Sequence, residues 1–71
     1  MLKAKQKRRG DEVALSFSQR YNVDPKVYWE IRELYYWYGW TPNRIHRYIT
    51  KTYNVKINKK TLGYWLRIKI L

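Results

Sequence analysis

The stretch Thr41–Arg67, TPNRIHRYITKTYNVKINKKTLGYWLR, decides how this chain is read. It opens with Thr41 as an N-cap and Pro42 at the first helical position, where a missing amide proton does no harm. Ile45, Tyr48, Ile49 and Thr52 then recur at i, i+3, i+4 and i+7, the spacing of a core-facing helix. The TyrAsnVal segment at 53–55 breaks that period, and Val55 and Ile57 alternate through a tight connection. Asn58 is a good second N-cap, and Leu62, Trp65 and Leu66 give the following helix an inward face. Lys60, Gly63, Tyr64 and Arg67 fall on its opposite side. A helix that is apolar on one side and cationic on the other suits insertion into a nucleic-acid groove.

The run Ile45, Ile49, Tyr53-Asn54-Val55 and Asn58-Lys59-Lys60-Thr61-Leu62-Gly63-Tyr64-Trp65-Leu66-Arg67 resembles the helix-turn-helix of the homeodomain-like superfamily. Its nearest likeness is to the resolvase and transposase branch, where a small-x-x-Thr-Val/Leu-x-x-Trp-Leu run opens the recognition helix. The resemblance covers residues 27–67 and is sharpest over 58–67. The chain departs from the shortest members in its longer, Tyr-containing connection. The resemblance implies an all-α, trihelical helix-turn-helix bundle whose third helix, at about 58–69, enters the major groove. It does not imply recombinase activity.

Charge points the same way. The 71 residues carry a formal net charge of +11, distributed unevenly. Residues 1–10 hold five Lys/Arg and no acid, residues 11–33 hold three Lys/Arg and all five acids, and residues 34–71 hold eight Lys/Arg and no acid. Cations that merely solvate a surface would be interspersed with acids. Their segregation after Glu33 favours a polyanion partner.

The chain is long enough for one small domain, expected over residues 11–71, and the 18% of aromatic residues can give it a substantial core. With no cysteine, neither a disulfide nor a Cys-based zinc site can form. The basic start is not followed by the apolar run of a signal peptide, and no segment approaches a bilayer span. The expectation is an intracellular protein with no membrane partner.

Residues 1–10, MLKAKQKRRG, read as a disordered basic arm. Lys5, Lys7, Arg8 and Arg9 suit a minor groove, and they equally suit a solubilising tail. An extra short helix is expected over Asp11–Tyr21, with Val13, Phe17 and Tyr21 on one face and Ala14 nearby. The acids at its start favour the N-terminal dipole. Asp24 and Pro25 then start the first helix of the trihelical unit. It is expected to run to Tyr38, with Val27, Ile31, Leu34 and Tyr38 inward, Tyr28 and Tyr35 at the edge, and Gly39 as its left-handed stop.

The rings of residues 35–40, YYWYGW, invite a stacking role toward single strands, but most are expected to be core. Trp29 and Tyr36 lie opposite Val27 and Ile31. Either the helix at 11–21 folds back over them or they form a dimer surface, and the intramolecular cover is the expectation. TyrAsnVal occurs at both 21–23 and 53–55, a match short enough to be coincidence.

Catalysis has little support, and no cofactor, metal or small-molecule substrate is expected. His46 is the only histidine and borders a core face, Glu30 and Glu33 complete no ligand set, and the three glycines are too scattered for a phosphate loop. Binding roles can be assigned instead. Asn43, Arg44, Arg47 and Lys51, with Lys56 in the connection, suit phosphates. Lys59, Lys60 and Thr61 start the helix where base edges are reached, and Gly63 permits close approach. Tyr64 suits a thymine methyl or phosphate, and Arg67 a guanine or phosphate. The leading expectation is a sequence-specific double-stranded DNA binder, a small transcription regulator acting alone or as a homodimer. The alternatives are a non-specific architectural or single-strand binder, and a DNA-targeting subunit of a recombination or replication complex.

Overall fold

A computed structural model describes residues 9–68 as four helices without strands: α1 (Arg9–Tyr21), α2 (Pro25–Tyr36), α3 (Pro42–Tyr53) and α4 (Lys59–Arg67). The all-α expectation holds for these residues. Of the expected basic arm, Lys5, Lys7 and Arg8 lie outside them, whereas Arg9 and Gly10 already belong to α1. Three helices start at side-chain caps. Asp24 accepts from the Lys26 amide at 2.9 Å, Thr41 from the Arg44 amide at 3.2 Å, and Asn58 from the Thr61 amide at 2.9 Å. Pro25 and Pro42 occupy first-turn positions that need no donor.

The helix ends explain the two TyrAsnVal segments. Asn22 and Asn54 both take left-handed backbone, at φ 56° and 58°. Asparagine tolerates this region better than most residues, so it closes a helix where glycine otherwise would. The amide of Val23 donates to the Ser18 carbonyl at 3.0 Å, and that of Val55 to the Ile49 carbonyl at 3.3 Å. Each Val is thereby turned back toward the body, Val55 fully and Val23 partly. The match is thus a helix stop used twice.

The segment after α2 departs from expectation. The helix ends at Tyr36 rather than Tyr38, because the amides of Trp37 and Tyr38 both donate to the Glu33 carbonyl, at 2.8 and 3.2 Å. Gly39 then adopts φ 73°, the expected left-handed stop, and the Trp40 amide returns to the Leu34 carbonyl at 2.9 Å. This early turn leaves Tyr38 62% exposed, so it is not part of the α2 core stripe. Thr52 is likewise exposed at the end of α3, beyond the reach of the core.

α2 is the hub, packing against each of the other three helices. The core joins Ala14 and Phe17 of α1, Val27, Tyr28 and Ile31 of α2, Ile45 and Ile49 of α3, Val55, and Leu62 and Leu66 of α4. Each large apolar side chain buried this way is worth about 1.5–3 kcal/mol. Tyr28, expected at an edge, is fully buried, because α1 crosses α2 there: Phe17 lies 5.3 Å from the Tyr28 ring and 5.3 Å from that of Trp65. Trp29 and Tyr36 consequently receive no such cover and remain 40% and 57% exposed. The α1 apolar face is spent on the Tyr28 side of α2.

Candidate nucleic-acid interface

α4 presents two unlike faces. Leu62 and Leu66 are fully buried, and Trp65 is half-buried between Phe17, Tyr21 and Tyr28. Lys59, Lys60, Tyr64 and Arg67 are exposed, Tyr64 by 68%, and Thr61 is half-buried at the first turn. This is the division that the helical period requires. Gly63 behaves differently from expectation. It is buried, because the Arg67 guanidinium lies back over it: a Cβ built there would stand 3.4 Å from Arg67 Nη2. The close approach that glycine permits is taken up by Arg67 of the same helix, so a partner reaches Gly63 only after Arg67 swings outward.

The far end of α4 is fixed by α2. The last carbonyls of a helix lack intrahelical donors and carry negative partial charge. Three α2 side chains supply those donors. Tyr28 Oη donates to the Trp65 carbonyl at 2.6 Å, and Tyr36 Oη to the Leu66 carbonyl at 2.7 Å. Arg32 Nη1 donates to the Leu66 and Ile68 carbonyls, both at 3.0 Å. The Arg32 guanidinium also stacks over the Tyr36 ring, 4.7 Å from its centroid, adding a cation–π contact. Burial pushes the Tyr28 hydroxyl above the usual tyrosine range, with Arg32 pulling the other way. Sequence reasoning missed this grip. Its signal was the i, i+4, i+8 spacing of Tyr28, Arg32 and Tyr36 along one α2 face.

The connection before α4 is pinned from α3. His46 Nε2 lies 2.7 Å from the Ile57 carbonyl. A carbonyl only accepts, so Nε2 carries the proton. The lone histidine therefore anchors the connection, in keeping with a structural role. On the other side of α3, Tyr48 and Tyr53 both donate to the Glu30 carboxylate, Tyr53 at 2.6 Å. These bonds to Glu30 are the main reason both tyrosines hold their protons above the usual range. Glu30 is thereby engaged as a clamp between α2 and α3.

The remaining predicted contacts lie on α3 and the connection. Asn43, Arg44, Arg47, Lys51 and Lys56 are all exposed. Asn43, Arg47 and Lys51 follow one another at i+4 intervals, so they line one side of α3. Arg44 stands apart, its guanidinium 3.9 Å from the Trp40 ring centroid. Among the described residues no group of three or more His, Cys, Asp or Glu could hold a metal, and no helix is long and apolar enough to cross a membrane. Compared with known proteins, the chain matches no family model, no curated protein and no solved structure.

Proposed function

We propose that this chain is a sequence-specific double-stranded DNA-binding protein, a small transcription regulator that sets α4 in the major groove. In this reading α2, α3 and α4 form a trihelical helix-turn-helix unit, and α1 is an addition that braces α2 and Trp65. The observation that carries it is the division of α4, with Leu62 and Leu66 buried and Lys59, Lys60, Tyr64 and Arg67 exposed, in a chain with no acid after Glu33.

The roles follow from position. Lys59, Lys60 and Thr61 lie at the N-terminal end of α4, where the helix dipole adds positive potential and where this motif reaches base edges. Tyr64 and Arg67 continue the same strip toward the other end. Arg67 leaves Gly63 to meet guanine or phosphate, which uncovers the glycine for close approach. Asn43, Arg47 and Lys51 on α3 meet phosphates and fix the register of the protein on the duplex.

Selection of bound sequences from a random duplex library tests this reading. An enriched motif is expected. On that motif Lys60→Ala or Arg67→Ala should weaken binding by about 1–3 kcal/mol while scarcely changing affinity for random duplex. Both side chains are exposed, so the variants should melt like the parent. Equal losses on the two substrates would reject base readout.

A further inference from the structure

Four consecutive aromatic residues, 35–38, run through the end of α2, and the last two are left without a structural task. Tyr36 is engaged through its hydroxyl and by Arg32. Trp37 and Tyr38 project into solvent, 78% and 62% exposed. A pair of large rings held in water is the kind of surface that marks an interaction site. Their backbone is nevertheless fixed, both amides being bonded to the Glu33 carbonyl and the turn closed by Trp40 on Leu34. The rings are thus presented on a rigid corner.

The location of this corner and the charge of the chain indicate what it meets. Tyr36 ties the residue before Trp37 to Leu66, at the end of α4 that carries Arg67. Exposed Glu33 precedes the corner, but the chain as a whole carries a formal net charge of +11, with eight Lys/Arg and no acid after Glu33, which favours a polyanion over an apolar protein groove. Exposed aromatic rings on a cationic protein are what single-stranded nucleic acid binds, because every base has a face to stack. Bases inside a duplex have both faces covered. An unpaired base beside the duplex does not.

We infer that Trp37 and Tyr38 form a stacking platform for unpaired bases adjoining the duplex engaged by α4, so that the preferred ligand is a duplex opening into a single strand. This rests on the duplex reading above and adds to it the strand junction as the ligand class. The Arg67 guanidinium at the α4 end holds the backbone while the rings take the bases.

The test compares a blunt duplex with the same duplex carrying a short oligo-dT tail, at its 3′ or its 5′ end, by anisotropy of a labelled strand. The intact chain should bind one tailed form about tenfold more tightly than the blunt one, the gain expected of a stacked base. Trp37→Ala should erase that gain and leave blunt-duplex affinity unchanged, and Trp37→Phe should keep most of it. Equal affinity for tailed and blunt duplex, or a gain that survives Trp37→Ala with Tyr38→Ala, overturns the platform and leaves the duplex reading standing. Failure to bind any duplex overturns both. Sedimentation of the free protein separates a protein partner: a dimer that Trp37→Ala converts to monomer would assign these rings to a self-contact and overturn the platform.

Discussion

The rings of Phe17, Tyr21, Tyr28 and Trp65 and those of Tyr36, Trp37 and Tyr38 are of the same chemical kind but serve opposite ends. The first group meets edge to face or tilted, with centroids 4.9–6.3 Å apart, where α1, α2 and α4 converge. The second group lies where the chain turns off α2, largely exposed, with Tyr36 alone reaching α4 through its hydroxyl. Aromatic rings contribute packing to a small domain only where another element closes over them. The difference therefore lies in the tertiary surroundings and not in the residues.

The largest effect should come from emptying the closed group. Phe17→Ala removes the ring in contact with Tyr21, Tyr28 and Trp65 and should cost about 3–5 kcal/mol, most of the stability of a domain this size. Trp37→Ala should change stability by no more than about 0.5 kcal/mol. Urea titrations followed by circular dichroism would read both, and comparable losses would break the contrast.

A middling effect is expected where the two groups meet, at Arg32. Arg32→Met leaves the Ile68 carbonyl without its donor and the Leu66 carbonyl with Tyr36 alone, at a cost of about 1–3 kcal/mol. Amide exchange should accelerate first in α4. Unchanged protection there would show that α2 does not hold that helix end.

The smallest effect concerns Tyr48 and Tyr53, rings that are half-buried and tied by their hydroxyls to Glu30. Both ionise above the free value of 10.0 in the folded chain, chiefly because Glu30 accepts their protons in hydrogen bonds. Below about pH 10 the hydroxyls are protonated whether the chain is folded or not, and their contribution is complete. Above it the unfolded chain ionises first, so stability drains away as pH climbs toward the raised folded values. Urea midpoints should fall as pH rises above about 10, and more gently in Tyr53→Phe. An identical slope in that variant would remove Glu30 as the cause.

How much of this was legible from the chain alone depends on the range of the interaction. Asp24, Thr41 and Asn58 announce helix starts because a cap reaches only two or three residues ahead, and Pro25 and Pro42 reinforce them. The division of α4 follows from its own period, so Leu62 and Leu66 inward and Lys60, Tyr64 and Arg67 outward could be read directly. Tyr28 and Tyr38 could not. Which of them is core depends on where α1 crosses and on two amides sharing the Glu33 carbonyl. Arg32 was opaque for a similar reason, since the carbonyls it holds lie 34 and 36 residues away. Gly63 misled because the group lying over it, Arg67, belongs to its own helix.

The hold of Tyr28, Arg32 and Tyr36 on the end of α4 has a consequence for recognition. A helix of nine residues would not persist alone in water, since too few turns follow its costly nucleus. Bound end-on to its neighbour, it meets any ligand as a finished tool, with no coil-to-helix transition left to complete. The conformational entropy has been surrendered during folding, so an encounter needs only to orient a few long side chains and shed ions and water.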